Sequence, residues 1–231
     1  MKVLRQACGA TAGRMAALLI AIFADAVAAR SMELEKRGEY ALLMLIATLA
    51  AQFCDFGISS SVTYFSAKNH ANKGELLDGI YRLWAIECIV LIIGFTLFFY
   101  FFHPSAVAGL VLIPSLCMAL FVGSAVVQQS LNGLLVADGL VSKSNILLLL
   151  QQLCILIGML LLSAANALTP NAALAVQMVS RGVVIVVCLR WLGEVRREPI
   201  KFQLIRTVFK YGFREYASNL IGIFSYRADQ I

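Results

Sequence analysis

The sequence is poor in charge and in histidine. Asp, Glu, Lys and Arg make up 14% of its 231 residues, whereas about 25% is typical of soluble domains. There are two histidines and six cysteines, with no CxxC pair and no histidine at ligand spacing from a cysteine. We therefore predict neither a zinc site nor a haem site, expect no cofactor, and interpret the cysteines as small apolar residues of helices.

Long apolar runs are present instead. Hydrophobic residues make up 61% of the chain and the mean hydropathy is +0.84. Runs such as CIVLIIGFTLFFYFF and NILLLLQQLCILIGMLLLSAA, extended by their flanks, reach the ~20 residues that cross the ~30 Å hydrocarbon core as a helix. The pattern predicts an all-α integral membrane protein with several spans.

Seven apolar segments can be drawn, and the short connections between them predict one bundle. They cover residues 8–29, 39–67, 80–102, 107–136, 144–165, 172–192 and from about 211 to the end. Residues 1–195 are predicted to form a six-helix transmembrane lobe. Residues 196–231 are predicted to be a basic cytoplasmic connector and the start of a seventh span. Because that span has only about 20 residues and no basic or aromatic exit, we expect the chain to continue beyond Ile231.

The basic residues predict the orientation. With the N-terminus in the cytoplasm, thirteen of the 19 Lys and Arg residues fall in inside regions and three within spans, as the positive-inside rule requires. The three in outside loops are Arg30, Lys36 and Arg37. The net charge of +6 is thereby explained without a nucleic-acid partner, and the connector between Arg190 and Arg214 can approach anionic lipid headgroups.

The N-terminus has an alternative interpretation as a cleavable signal peptide. The stretch MKVLRQACGATAGRMAALLIAIFADAVAARS has a basic lead, an apolar centre and small-x-small triplets. Two features argue against cleavage: the basic lead runs through Arg14, and the later spans alternate correctly only if the first span is retained.

Two motifs resemble a known family. The stretch RGEYALLMLIATLAAQFCDFGISSSVTYFSAKN resembles the second helix of the polysaccharide-flippase branch of the multidrug/oligosaccharidyl-lipid/polysaccharide (MOP) exporter superfamily. In that family a Gly-x-Tyr step leads into an apolar helix, followed by a D-x-G turn and a basic residue at the cytoplasmic exit. The matching positions here are Gly38, Tyr40, Asp55, Gly57, Ile58, Ser59, Ser60 and Lys68. A second stretch resembles the entry to the family's seventh helix, with Lys210, Tyr211 and Gly212 followed by Arg227, Ala228 and Asp229. Two features depart from the family: Phe213 stands where a proline is usual, and members have twelve or fourteen helices.

The resemblance implies a MATE-like (multidrug and toxic-compound extrusion) N-terminal lobe, which would be one of two six-helix lobes around a cavity that opens alternately to either side. It also implies a substrate, an oligosaccharide on a polyprenyl diphosphate, moved across the bacterial inner membrane for O-antigen, capsule or exopolysaccharide assembly. The implied partners are this lipid-linked oligosaccharide, membrane lipids, and polysaccharide polymerase or assembly proteins. The protein would not be an enzyme.

Ionisable and amide residues within spans are the candidate site, because such groups usually face a partner or a wet cavity. The predicted cavity residues that attract the diphosphate are Arg14, Arg181, Arg227, Gln177 and Asn219. Gln177 and Arg181, at i and i+4, are expected to form one polar patch. Asp229 points away from Arg227 on the helical wheel.

The acids Asp25 and Glu87 are expected either to carry a coupling proton or cation or to hold an arginine in place. Arg14 and Asp25 share one stripe of the first helix, too far apart for a direct pair. The competing interpretation of all these groups is inter-helix packing, or snorkelling to an interface. The glutamines and asparagine of the fourth and fifth segments are interpreted as helix-to-helix hydrogen bonds.

Two other functions are compatible with a membrane bundle. A cation-coupled multidrug exporter of the same superfamily should have an acid-dominated cavity, whereas this chain places arginines in its spans. An integral-membrane transferase needs a histidine, a paired carboxylate or a metal-binding acidic cluster. The two histidines and scattered acids disfavour that class.

Overall fold

The computed structural model describes residues 2–68, 73–102, 108–193 and 206–216, and these residues are almost entirely helical. Seven helices come first: α1 (Lys2–Ser31), α2 (Leu34–Cys54), α3 (Ile58–Ala67), α4 (Lys73–Phe102), α5 (Ala108–Ala137), α6 (Val141–Ala164) and α7 (Pro170–Leu192). A further helical stretch, residues 206–216, is called α8 below.

Six membrane spans can be assigned within the described residues. Five helices, α1, α4, α5, α6 and α7, are long and apolar enough to cross a bilayer, and α2 with α3 forms a sixth, bent span. The apolar side chains of α1 and α4, such as Phe23 and Val90, are exposed on the outside of the bundle, as a lipid-facing surface requires. The prediction of an all-α, six-helix membrane lobe is confirmed.

The second span, drawn from its apolar pattern as one segment over residues 39–67, is broken at the D-x-G turn that the resemblance implies. It bends by 46° where Phe56 and Gly57 have positive φ angles of 43° and 72°. The Asp55 side chain accepts hydrogen bonds from the backbone N–H (3.4 Å) and the hydroxyl (2.8 Å) of Ser59. These bonds satisfy a donor that the break would otherwise leave without a partner at the start of α3.

Several helices also begin earlier than the apolar segments do. α2 begins at Leu34 and α4 at Lys73, five and seven residues before the predicted starts of the second and third segments. Charged residues of the added turns form ion pairs, namely Lys36 with Glu33 (3.1 Å) and Asp78 with Arg82 (2.7 Å). A helix keeps its backbone bonds satisfied as it leaves the hydrocarbon region, so hydropathy marks the membrane and not the end of the helix.

Helix α5 lies at the centre of the lobe. It packs against α2, α3, α4, α6 and α7, whereas α1 packs mainly on α6. Its side chains Phe121, Val122, Leu131 and Leu135 are fully buried. Helix α5 therefore borders the gap that it leaves with α6 and α7, which is lined by several of its polar side chains.

Candidate functional site

A polar cavity of about 280 Å³ lies between α5, α6 and α7, and we call it the Arg181 cavity. It occupies the half of the bundle where α5 passes into α6. Its polar lining residues are Gln128, Gln129, Asn132, Ser144, Gln151 and Arg181. Of the described residues that line it, none is an Asp or a Glu.

Arg181 projects from α7 towards α5. Its Nη1 donates a hydrogen bond of 2.9 Å to the backbone carbonyl of Phe121, and its Cζ lies 3.9 Å from the centre of the Phe121 ring. Within the described ranges, Arg181 takes part in none of the ion pairs. A guanidinium has five N–H donors, so this contact with Phe121 leaves other donors available at the cavity wall.

The amides across the cavity are partly paired with each other. The Gln128 side chain of α5 donates a 2.7 Å hydrogen bond to the Gln151 side chain of α6, which is the helix-to-helix role expected for these glutamines. The buried Oδ1 of Asn132 accepts no hydrogen bond from the described part of the chain. The described wall of the cavity therefore presents one cation, an amide oxygen that is free to accept a hydrogen bond, and no anion.

The Gln128–Gln151 hydrogen bond should contribute modestly to stability. Replacing either glutamine by leucine is expected to lower the free energy of unfolding by about 1 kcal/mol, and a double-mutant cycle should give a coupling of roughly 0.6 kcal/mol, the average for hydrogen bonds between membrane helices. Unfolding of the parent protein, both single variants and the double variant in detergent micelles measures both quantities. Strictly additive single effects would show that the two side chains do not interact in the folded protein.

A second polar cavity, of about 340 Å³, lies in the opposite half of the bundle, where α1 passes into α2, and we call it the Tyr40 cavity. Its polar lining residues are Asp25, Arg37, Tyr40 and Gln177. Gln177 approaches the buried Tyr40 hydroxyl, with a donor–acceptor distance of 3.5 Å, which is at the long end of the hydrogen-bond range.

The polar patch predicted for Gln177 and Arg181 is divided between these cavities. Gln177 lines the Tyr40 cavity and Arg181 lines the Arg181 cavity. The two residues are neighbours on α7, about 6 Å apart along its axis. They diverge because Gln177 meets Tyr40 of α2 and Arg181 meets Phe121 of α5. Helical spacing puts both on one face but does not specify their partners.

The remaining predicted residues are dispersed. Arg14 is exposed on α1 and lines neither cavity, while Asp25, on the same helix, lines the Tyr40 cavity. Glu87 of α4 is partly buried, and its Oε1 has no hydrogen-bond partner in the described part of the chain. Arg227, Asn219 and Asp229 lie outside the described residues.

The two family-like motifs pack on each other. α8 lies against α3 so closely that a Cβ on Gly57 would overlap the carbonyl of Gly212. The Ser61 hydroxyl donates a 2.9 Å hydrogen bond to the Val208 carbonyl, and the Tyr64 and Tyr211 rings stack with centroids 4.4 Å apart. Gly57, Tyr211 and Gly212 thus form a helix contact, whereas Tyr40 lines a cavity and Gly38 lies beside open space on α2.

Three residues of these cavities are not identified by the sequence pattern. The pattern places Arg37 in an outside loop, but it belongs to α2 and lines the Tyr40 cavity. It gives Gln129 and Asn132 a helix-to-helix role, yet they line the Arg181 cavity. The one signal in the sequence is that amides and an arginine occur within apolar spans. Among the described residues, no group of three or more His, Cys, Asp or Glu could hold a metal ion.

Six spans with polar cavities between them define a multi-pass helical membrane protein. The structure is similar to a MOP superfamily transporter from Pyrococcus furiosus whose binding pocket is described as having reverse polarity (TM-score 0.65, 14% identity, 96% of this chain and 54% of that one). It is also similar to an outward-facing multidrug resistance MATE family transporter (TM-score 0.63, 15% identity, 94% and 52%). The chain therefore spans about half the length of these two transporters.

The family follows from the sequence match. The chain belongs to the polysaccharide biosynthesis protein family, whose family model matches residues 4–231. No curated protein matches it. The resemblance drawn from the two short motifs is confirmed by a match that covers nearly the whole chain.

Proposed function

We propose that this protein takes part in flipping polyprenyl-diphosphate-linked oligosaccharide across the membrane for surface polysaccharide synthesis. The family and the fold of the chain support membrane transport in polysaccharide biosynthesis. The observation that carries the proposal is Arg181, a guanidinium on a cavity wall that has no carboxylate partner in the described part of the chain.

Arg181 suits a diphosphate in both charge and geometry. Guanidinium groups bind phosphate oxygens through paired, charge-assisted hydrogen bonds. The Phe121 carbonyl and ring hold the guanidinium in place, so less side-chain freedom is lost when an anion binds. An unpaired cation in a low-dielectric bundle also attracts an anion more strongly than it would in water.

The amides of the same cavity suit the sugars. Gln129 and Asn132 line it together with the Gln128–Gln151 pair, and amide side chains both donate to and accept from sugar hydroxyls. The Tyr40 cavity lies in the opposite half of the bundle, and Gln177 and Arg181 link the two cavities along α7. In this proposal the polar head of the substrate moves from one cavity towards the other.

The two acids lie at different places, and only Asp25 is at a cavity. Asp25 lines the Tyr40 cavity and is the candidate for a coupling proton or cation there, while Glu87 lies away from both cavity linings. Arg14, Arg227 and Asn219 remain proposed substrate contacts. We also propose an inner-membrane location with the N-terminus in the cytoplasm, which the distribution of basic residues supports.

The proposal favours a flippase over the alternatives. A multidrug exporter coupled to cations is expected to line its cavity with acids, but the described lining of the Arg181 cavity contains none. A transferase of the polysaccharide pathway would need a catalytic cluster. The described residues place no carboxylate or histidine in the Arg181 cavity, and only Asp25 in the Tyr40 cavity.

A leaflet assay tests the proposed function. Deleting the gene from its own host should leave lipid-linked oligosaccharide on the cytoplasmic leaflet, because assembly of the precursor continues while its translocation stops. The amount accessible to a glycan-modifying enzyme in inside-out vesicles measures this accumulation, and the plasmid-borne gene should reverse it. Unchanged glycan distribution and normal surface polysaccharide in the deletion strain would refute the proposal.

A further inference from the structure

Helix α8 has one face that packs on the protein. Val208 and Gly212 are buried, and Tyr211 stacks on Tyr64. The Cβ of any larger residue at Gly212 would stand 2.9 Å from the Gly57 carbonyl and 2.7 Å from the Ser61 hydroxyl. These close contacts fix the rotation of α8 about its axis, and so they determine which side chains point outwards.

The outward side carries a basic stripe. Arg206, Lys210 and Arg214 are all exposed, and their i, i+4, i+8 spacing places them within about 80° of one another over about 12 Å. None of the three forms an ion pair with another described residue. Within the described part of the chain, the stripe is therefore a row of exposed cations.

Two phenyl groups lie beside this stripe. Phe209 and Phe213 are 37% and 61% exposed, and on the helical wheel they fall between the basic stripe and the protein-facing residues. Aromatic rings next to a row of Lys and Arg are typical of helices that lie at a membrane surface, with the rings entering the headgroup boundary.

The depth of α8 agrees with that position. Val208 lies in the same small apolar gap as Leu76 and Ile80 of α4. This turn of α4 also carries the exposed Arg82, which is paired with Asp78 at 2.7 Å. Charged side chains of both signs are costly in the hydrocarbon core, so this level of the bundle is the membrane–water boundary.

Lys68 adds a further cation at the same end. It follows α3, and its ammonium donates a 2.7 Å hydrogen bond to the Tyr64 hydroxyl, on the ring that stacks against Tyr211. This bond raises the pKa of Lys68, and a lysine ammonium is in any case charged at neutral pH. The contact between α3 and α8 therefore presents positive charge from both of its helices.

We propose that α8 is an anionic-phospholipid binding surface, formed by Arg206, Lys210 and Arg214 with Phe209 and Phe213. The phenyl groups lie at the acyl boundary and the basic groups bind the phosphates of the adjoining leaflet. Charge complementarity and the depth of α8 favour lipid over a protein partner. This surface is distinct from both cavities and does not require that the protein flips a glycan.

Local lipid composition around α8 tests this surface. The Phe213→Trp variant of the full-length protein is reconstituted in phosphatidylcholine vesicles, where the new tryptophan is the fluorescent probe. Subtracting the fluorescence of the parent protein removes the signal of its two native tryptophans. Brominated phosphatidylglycerol should quench the probe more than brominated phosphatidylcholine at equal mole fraction, since each basic residue near the surface favours anionic lipid roughly fivefold. R206Q/K210Q/R214Q should abolish the preference, and high salt should weaken it.

Two matched variants separate charge from folding. R206K/R214K keeps the charges and should retain the preference, while R30Q/K36Q removes exposed charges at the opposite end of the bundle and should not alter it. The proposal would be overturned if the two brominated lipids quenched the Phe213→Trp protein with its basic residues intact equally. A preference for the anionic lipid that survives R206Q/K210Q/R214Q would also overturn it. Loss of the preference on adding inorganic pyrophosphate at matched ionic strength would also overturn it, because the stripe would then be a diphosphate site.

Discussion

Replacing Arg181 by glutamine is expected to reduce translocation of lipid-linked oligosaccharide by about 10- to 100-fold. A hydrogen bond to a charged group contributes about 1.5–3 kcal/mol, and each 1.4 kcal/mol is a factor of about ten. Arg181 is the one cation in the lining of its cavity among the described residues. Arg181→Lys should have an intermediate effect, because the ammonium keeps the positive charge but lacks the planar pair of N–H donors of the guanidinium. The leaflet assay with the variant gene measures both.

Stability measurements distinguish this role from a packing role. The Phe121 carbonyl also accepts a 2.8 Å hydrogen bond from the Ser124 hydroxyl, so removing Arg181 does not leave that oxygen unsatisfied. We therefore expect Arg181→Gln to lose translocation while keeping a melting temperature close to that of the parent protein. Arg190→Gln, at an exposed position of the same helix, is the matched control. Equal losses of melting temperature and translocation in Arg181→Gln would assign Arg181 to packing instead.

Gly57→Ala is expected to destabilise the lobe by roughly 2–5 kcal/mol. The left-handed φ of 72° at Gly57 costs a residue with a Cβ about 1–2 kcal/mol. The new Cβ would also overlap the Gly212 carbonyl. A backbone carbonyl cannot rotate away as a side chain can, so α8 must shift, and overpacking of this kind costs about 1–3 kcal/mol. Thermal unfolding in detergent should show a fall of about 10 °C.

Two other glycines separate the contributions. Gly139 also has a positive φ, of 75°, but open space lies where a Cβ would stand, so Gly139→Ala should show the backbone cost alone, about 1–2 kcal/mol. Gly94 is helical and also has open space beside it, so Gly94→Ala should be neutral or slightly stabilising. A Gly57→Ala protein as stable as Gly139→Ala would mean that the contact between α3 and α8 is not tight.

The break in the second span could be predicted only in part from the sequence. The apolar pattern predicted one span, and the resemblance placed a turn at Asp55 and Gly57. Hydropathy averages over some 20 residues, so it does not detect two positive φ angles. The Asp55–Ser59 hydrogen bonds and the contact with Gly212 are what hold the break, and one of them involves a residue far along the chain.

The amino-acid sequence was enough to identify a multi-pass helical membrane protein of a polysaccharide family. It was enough because lipid requires long apolar segments, and because the short motifs around Gly57 and Gly212 are local. The packing of the helices was needed to show that Gln177 and Arg181 line different cavities and that Arg37 joins Asp25 at one of them. Helical periodicity specifies the face on which a side chain lies, but its partner depends on which helix packs against that face.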